Sequence, residues 1–157
     1  MPTPLTEGQP APDFTVETDT GATVSLSDFA GKHVVLYFYP KDSTPGCTAE
    51  ACSFRDNMGR LESEGAVVLG VSLDSAESHQ RFRDKYQLPF TLLADTEHKV
   101  ADAYGVYKQP LLGLSFMAVD RATFLIGPDG TLEKVWAKVN PRGHADEVIA
   151  ALHALKQ

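Results

Sequence analysis

The sequence predicts an α/β fold, one mixed β-sheet with helices on both of its faces. Three observations lead there. His33–Tyr39 (HVVLYFY) and Ala66–Leu73 (AVVLGVSL) are unbroken apolar runs with no polar alternation, the pattern of strands covered on both faces. Helical segments with caps and amphipathic spacing follow each run, so strands and helices alternate along the chain. Near the C-terminus, Gly127-Pro128-Asp129-Gly130 separates two β-prone stretches and marks an antiparallel pair.

Taken in order, residues 8–14 are a proline-punctuated entry, followed by short strands at Thr15–Glu17 and Thr23–Ser25 around an Asp19-Thr20-Gly21 turn. The buried run at His33–Tyr39 ends at Pro40, and a polar loop leads into a helix from Cys47 to Glu64, closed by Gly65. After the Ala66–Leu73 strand, Asp74 and Ser75 cap a helix that runs to Tyr86. A short strand at Thr91–Leu93 and a helix from Thr96 to Tyr104, stopped by Gly105, come next. Thr123–Ile126 and Glu133–Val139 form the hairpin, and a helix from Ala145 to Leu155 closes the chain. This order is the one a thioredoxin-like fold requires. The chain shows no internal repeat, low-complexity tract or linker, so residues 1–157 read as one domain.

Composition narrows the function. A hydrophobic content of 43% and a charged content of 22% are those of an ordinary soluble domain. The net charge is −7, and the basic residues are dispersed. Arg81-Phe82-Arg83-Asp84-Lys85 carries its own acid and reads as a solvated helix face, so nucleic acid is not an expected partner. The N-terminal residues lack the basic and apolar regions of a signal peptide, and no apolar run is long enough to span a membrane. The expected location is the cytoplasm, where a cysteine pair serves catalysis or metal binding more often than stapling.

The chain has two cysteines, Cys47 and Cys52, five residues apart at the start of one expected helix. At a helix N-terminus the free N–H groups and the macrodipole favour a negative sulfur. Thr44, three residues earlier, offers a hydroxyl to whatever binds at Cys47, and Gly46 permits close approach. The plainer alternative makes Thr44 a cap and Cys47 a small apolar helix residue. On an intact helix, residues five apart differ by about 7.5 Å along the axis and about 140° around it, which puts their Cα atoms about 8.6 Å apart. That exceeds the ~7 Å limit for a disulfide without backbone movement. The spacing suits neither a zinc site nor a Cys-x-x-Cys redox motif, and the five histidines (33, 79, 98, 144 and 153) are scattered and expected at the surface. What remains is a pair that reacts when the first turns unwind: one cysteine is oxidised and the other attacks it.

Pro40-Lys41-Asp42-Ser43-Thr44-Pro45-Gly46-Cys47 resembles the Pro-x-x-x-Thr-x-x-Cys signature of peroxiredoxins. The extension to Cys52 is similar to the bacterioferritin comigratory protein, or peroxiredoxin Q, branch of that family. Ala11-Pro12-Asp13-Phe14, Val71-Ser72, Lys99-Val100-Ala101 to Tyr104-Gly105-Val106, and Arg121 ahead of Ala122–Ile126 extend the resemblance over nearly the whole chain. The resemblance implies Cys47 as the peroxidatic nucleophile and Cys52 as the resolving thiol. It places Thr44 and the Cys47 N–H on the peroxide oxygens, Arg121 beside the thiolate and the leaving oxygen, and Pro40 as a shield against bulk water. Arg121 suits that role chemically, because its fixed donors cannot lose their charge. Its other reading is a surface ion pair with Asp120.

The implied activity is a thiol peroxidase acting on hydrogen peroxide and organic hydroperoxides through a Cys47 sulfenic acid and a Cys47–Cys52 disulfide. Thioredoxin, or glutaredoxin, would return the disulfide to thiols, and no metal, haem, flavin or nucleotide is implied. A redox-sensing module whose disulfide switches partner binding is the alternative. It would need an oxidisable thiol but not Thr44 and Arg121. One departure is the apolar stretch Gln109–Val119, where many relatives are rich in lysine. It reads as a loop folded over the active site, or as the surface through which an expected monomer would form a weak dimer.

Overall fold

The strand β3 (His33–Phe38) is the axis of the molecule: every residue after His33 is buried. It pairs in parallel with β4 (Ala66–Ser72) and antiparallel with β6 (Ala122–Ile126). The computed structural model describes residues 5–108 and 118–155. Among these, β1 (Thr15–Thr18), β2 (Thr23–Ser25), β5 (Thr91–Ala94) and β7 (Leu132–Trp136) complete one mixed sheet in the order β2-β1-β5-β4-β3-β6-β7. The central β5-β4-β3 block is parallel, and antiparallel strands flank it on both sides. The helices are α1 (Pro45–Asp56), α2 (Met58–Ser63), α3 (Ala76–Tyr86), α4 (Lys99–Ala103) and α5 (His144–Leu155).

Because side chains alternate along a strand, β3 feeds two separate cores. Val34, Leu36 and Phe38 point into one, with Phe14, Val100, Tyr104 and Phe124. Val35 and Tyr37, followed by Tyr39, point into the other, with Cys47, Ala51, Phe54, Phe82, Val148 and Leu152. So α4 covers the first face, while α1, α2, α3 and α5 cover the second. Phe54 is the keystone of α1: it is fully buried, and its ring lies 4.8 Å from that of Tyr37. Phe54→Ala would cost about 3–5 kcal/mol.

The expected single helix from Cys47 to Glu64 is two helices, and the first begins at Pro45. The break falls at Asn57. Its side-chain Nδ2 donates to the Ser53 carbonyl at 2.7 Å, the acceptor its own N–H would use in a continuous helix, and that N–H bonds Phe54 instead at 3.1 Å. Gly65, with φ +75°, ends α2 as expected. The helix expected from Thr96 begins only at Lys99, because the Asp95 carboxylate accepts the N–H groups of Val100 (3.1 Å) and Ala101 (2.9 Å), so the chain must first turn through His98 at φ 50°. The last hairpin strand, expected to reach Val139, stops at Trp136; the Val139 N–H leaves the ladder to bond the Arg121 carbonyl at 3.2 Å. Leu26–Phe29, between β2 and β3, forms a 3-10 turn.

Two of the histidines expected at the surface, His79 and His144, are fully buried. Each has polar partners for both ring nitrogens, which is what makes burial tolerable. For His144 these are the Thr123 hydroxyl at 2.8 Å and Glu147 at 3.2 Å, and desolvation pushes its pKa below the ordinary histidine value. Among the described residues, no helix is long and apolar enough to cross a membrane.

Candidate active site

α1 starts where the sequence stops allowing a strand. Thr44 is extended (φ −80°, ψ 154°), Pro45 takes the first helical position with its φ already suited, and the first helical bond is Thr48 N–H to the Thr44 carbonyl at 2.8 Å. The N–H groups of Gly46 and Cys47 therefore lie ahead of the helical ladder, where partial positive charge collects. Cys47 stands third in the helix rather than first, still within this turn. The Thr44 hydroxyl makes no cap. It donates to the Lys41 carbonyl at 2.9 Å, so Thr44 holds the N-cap position by its backbone and not by its side chain.

The opposing side comes from the sheet. Arg121, immediately before β6, places Nη2 3.3 Å from the Cys47 Sγ and Nη1 2.7 Å from Glu50 Oε1. Glu50 follows Cys47 by three residues, so both face the same side of α1. The guanidinium thus bridges a thiol and a carboxylate one helical turn apart. Gly46 eases this approach: a Cβ there would stand 3.1 Å from Arg121 Nη2 and 3.7 Å from Pro141, so the guanidinium would have to give way. Asp120, the partner considered for Arg121 from sequence, pairs with Lys108 at 3.0 Å instead.

Burial and charge oppose each other at these groups. Desolvation is the largest influence on Glu50 and pushes its pKa up to about 7, against the pull of Arg121, although the 2.7 Å ion pair favours the carboxylate. Burial wins there because the carboxyl is fully enclosed and, among the described residues, its Oε2 has no hydrogen-bond partner. For Arg121, burial would lower the pKa, but Glu50 and Cys47 outweigh it and hold it above the usual arginine value. A permanent cation beside the sulfur is the result.

A cavity of about 420 Å³ opens over this cluster, lined by Pro40, Lys41, Thr44, Gly46, Val119, Asp120 and Arg121. Cys47 is 1% exposed and does not line it; its sulfur lies behind Arg121 and Gly46. So Cys47, Thr44, Arg121 and Pro40 come together. Cys52 does not: it is half-buried on the same unbroken helix, and both thiols are free. Of the apolar stretch 109–119, residues 109–117 lie outside the described residues; Ala118 and Val119 are buried, and Val119 bridges to Tyr107. Sequence reasoning missed Glu50, although its three-residue spacing from Cys47 was a usable signal. It also missed the buried Asp42–His79 pair at 2.7 Å, whose members lie 37 positions apart with no local pattern to link them.

A sequence model of the AhpC/TSA family matches residues 7–135. The peroxiredoxin Bcp of Bacillus subtilis is 48% identical over 151 residues, covering 96% of each chain. Among solved structures, a cysteine-to-serine variant of peroxiredoxin Q from Xylella fastidiosa superposes with a TM-score of 0.91 at 32% identity, covering 99% of this chain and 100% of that one. The Xanthomonas campestris bacterioferritin comigratory protein, studied for its alkyl peroxide reduction activity, gives 0.85 at 38% identity over 92% of both chains. With a basic side chain on a buried cysteine at a helix N-terminus, and relatives this similar along nearly the whole length, this chain belongs to the peroxiredoxin family of thiol peroxidases, in its bacterioferritin comigratory branch.

Proposed function

We propose that the peroxidase reaction runs through Cys47, with Cys52 as the resolving thiol, and that the substrates are hydrogen peroxide and organic hydroperoxides. The observation that carries this reading is the 3.3 Å approach of Arg121 Nη2 to Cys47 Sγ at the N-terminal turn of α1. The thiolate attacks one oxygen of the peroxide, the O–O bond breaks, and the departing alkoxide or hydroxide takes a proton to leave as alcohol or water. Cys47 becomes a sulfenic acid. Arg121 and the Cys47 N–H supply donors to the two oxygens, and charge on the departing one is where such donors act most strongly. The Thr44 hydroxyl, whose hydrogen is held by the Lys41 carbonyl, accepts from the hydroperoxide O–H. Pro40, at the cavity wall, keeps bulk water off the thiolate.

Resolution is a second displacement: the Cys52 sulfur attacks the Cys47 sulfenic sulfur, forming the disulfide and releasing water. An external dithiol, thioredoxin or glutaredoxin, reduces that disulfide by thiol exchange and is itself oxidised. Two free thiols that must be regenerated suit a reducing compartment, which supports a cytoplasmic location. Both cores are built on one sheet, which supports reading residues 1–157 as a single domain.

The test is a coupled assay with thioredoxin, thioredoxin reductase and NADPH, run on wild type, Cys47→Ser and Cys52→Ser. Wild type should turn over, Cys47→Ser should be inert, and Cys52→Ser should consume one equivalent of peroxide and stop with sulfenic acid on Cys47. Sulfenic acid forming first on Cys52 of the intact protein would reverse the assignment.

A further inference from the structure

Behind the peroxide cavity, the 40–44 loop carries a second buried polar cluster. Asp42 Oδ1 accepts the Tyr39 hydroxyl at 2.6 Å, and Oδ2 accepts the Ser78 hydroxyl at 2.8 Å and His79 Nδ1 at 2.7 Å. The Asp42 N–H donates to Asp74 Oδ2 at 2.8 Å, which also takes the Ser72 hydroxyl at 2.6 Å. His79, on α3, is fully buried, and its Nε2 lies 2.8 Å from the Leu93 carbonyl on β5. A carbonyl oxygen only accepts, so Nε2 carries a hydrogen. A carboxylate already accepting two hydroxyls accepts again from Nδ1, which therefore carries one too. With Asp42 as the carboxylate, the ring donates through both nitrogens and the two form an ion pair; the polar groups facing His79 are Asp42, Asp74, Tyr39, Ser78 and the Leu93 carbonyl.

Burial opposes the charge on His79, but its bonds to Asp42 and the field of Asp74 outweigh it, so its pKa stands above the usual histidine value. Asp42, Asp74 and His79 also offer potential metal-ligand atoms within 4.8 Å of one another, yet those of Asp42 and His79 are already engaged in the bonds just described. The cluster therefore reads as an anchor.

What it anchors is a strained turn. Ser43 adopts φ 64°, a left-handed conformation that a non-glycine residue holds only when its surroundings impose it. On either side of Asp42 and Ser43, the Lys41 carbonyl takes the Thr44 hydroxyl at 2.9 Å. Asp42 sits inside that turn and is bound to Asp74 in the β4–α3 connection, to Ser78 and His79 on α3, and to Tyr39 just past β3. We propose that the Asp42–His79 ion pair is the positioning device of the peroxide site, pinning the 40–44 loop from behind so that the Thr44 hydroxyl stands in register with the N-terminus of α1. This rests on the assignment of Thr44 to the peroxide made above.

The experiment measures first-turnover oxidation of Cys47 by stopped flow in the full chain, with alkylation of Cys47 by iodoacetamide as the control, because alkylation does not need the Thr44 hydroxyl. Asp42→Asn and His79→Gln should each slow peroxide attack on the order of tenfold, as Thr44→Val does, and leave alkylation unchanged. Combined with Thr44→Val, Asp42→Asn should add nothing further, because both act through one hydroxyl. Undiminished effects in the double variant, or an Asp42→Asn enzyme at the wild-type rate, would overturn the proposal. A Thr44→Val enzyme at the wild-type rate, with Asp42→Asn slow, would instead overturn the assignment of Thr44 and the route through it. If the variants do not fold, ¹⁵N NMR of the wild type decides: both His79 ring nitrogens should be protonated at neutral pH, and a neutral His79 ring would sink the ion pair.

Discussion

Cys47 and Arg121 are 3.3 Å apart, yet they belong to regions under opposite demands. Arg121 leads into β6, which pairs with β3 along five positions, Val34↔Ile126 to Phe38↔Ala122, at the centre of the sheet. Nothing in the proposed cycle requires that frame to move. α1 carries both cysteines and the carboxylate that holds Arg121, and it must open for the cysteines to meet. In the proposed cycle a Cys47–Cys52 bond would close around Glu50, and forming it should draw Glu50 away from Arg121. On the proposed cycle, the sheet side holds the charge that assists attack, and the helix side is the geometry that must open and reform at each turnover. Phe54, fully buried just beyond Cys52, shows where the opening should stop.

Removing the nucleophile separates the two regions most completely: Cys47→Ser should abolish peroxide reduction with the sheet intact, a loss of all measurable turnover in the coupled assay. Removing the frame's contribution comes next. Arg121→Ala should slow peroxide attack about 10²-fold, the usual effect of deleting one charged or oriented donor, with α1 still folded by circular dichroism. A rate within about threefold of wild type would reduce Arg121 to a surface charge, since loss of a donor that works in the transition state costs far more. Gly46→Ala probes the contact itself. Its new Cβ would crowd Arg121 Nη2 at 3.1 Å, so peroxide attack should slow several-fold, less than for Arg121→Ala, with little change in thermal midpoint.

How much of this was legible in the sequence divides along the same line. The buried strands were readable because β3 and β4 lie between two cores and carry no polar alternation, and Cys47, Thr44 and Arg121 were readable from a local motif and a family resemblance. The interruption of the helix at Asn57 was not, because it depends on one side chain outcompeting its own backbone for the Ser53 carbonyl. Nor was Asp42–His79, since both residue types are usually exposed and only the meeting of β3, β5 and α3 buries them. Glu50 reads in sequence as an ordinary helix residue: its helical propensity is good, and only the position of Arg121 reveals why it is buried.

A smaller effect concerns the cost of keeping Glu50 inside. Its pKa rises from 4.5 to about 7 in the folded protein. The folded state therefore keeps a proton that the unfolded chain has released, so stability falls as pH rises from about 4.5 to 7, by at most about 1.4 kcal/mol per pH unit. Below that window both states hold the proton, and above it both have lost it. Glu50→Gln should flatten the decline of thermal midpoint between pH 5 and 7. An unchanged slope would show that Glu50 is ionised throughout.

The central claim is that α1 opens while the sheet stays closed, and hydrogen exchange on the reduced and disulfide forms tests it most directly. In the reduced protein Cys47 and Cys52 lie on one continuous helix, about 8.6 Å apart at Cα by helical geometry and too far for a disulfide. On oxidation, residues 45–53 should lose protection while the β3 amides from Val34 to Phe38 keep it. Equal protection from Cys47 to Cys52 in the two forms would contradict the account, because the cysteines could then pair without unwinding the helix.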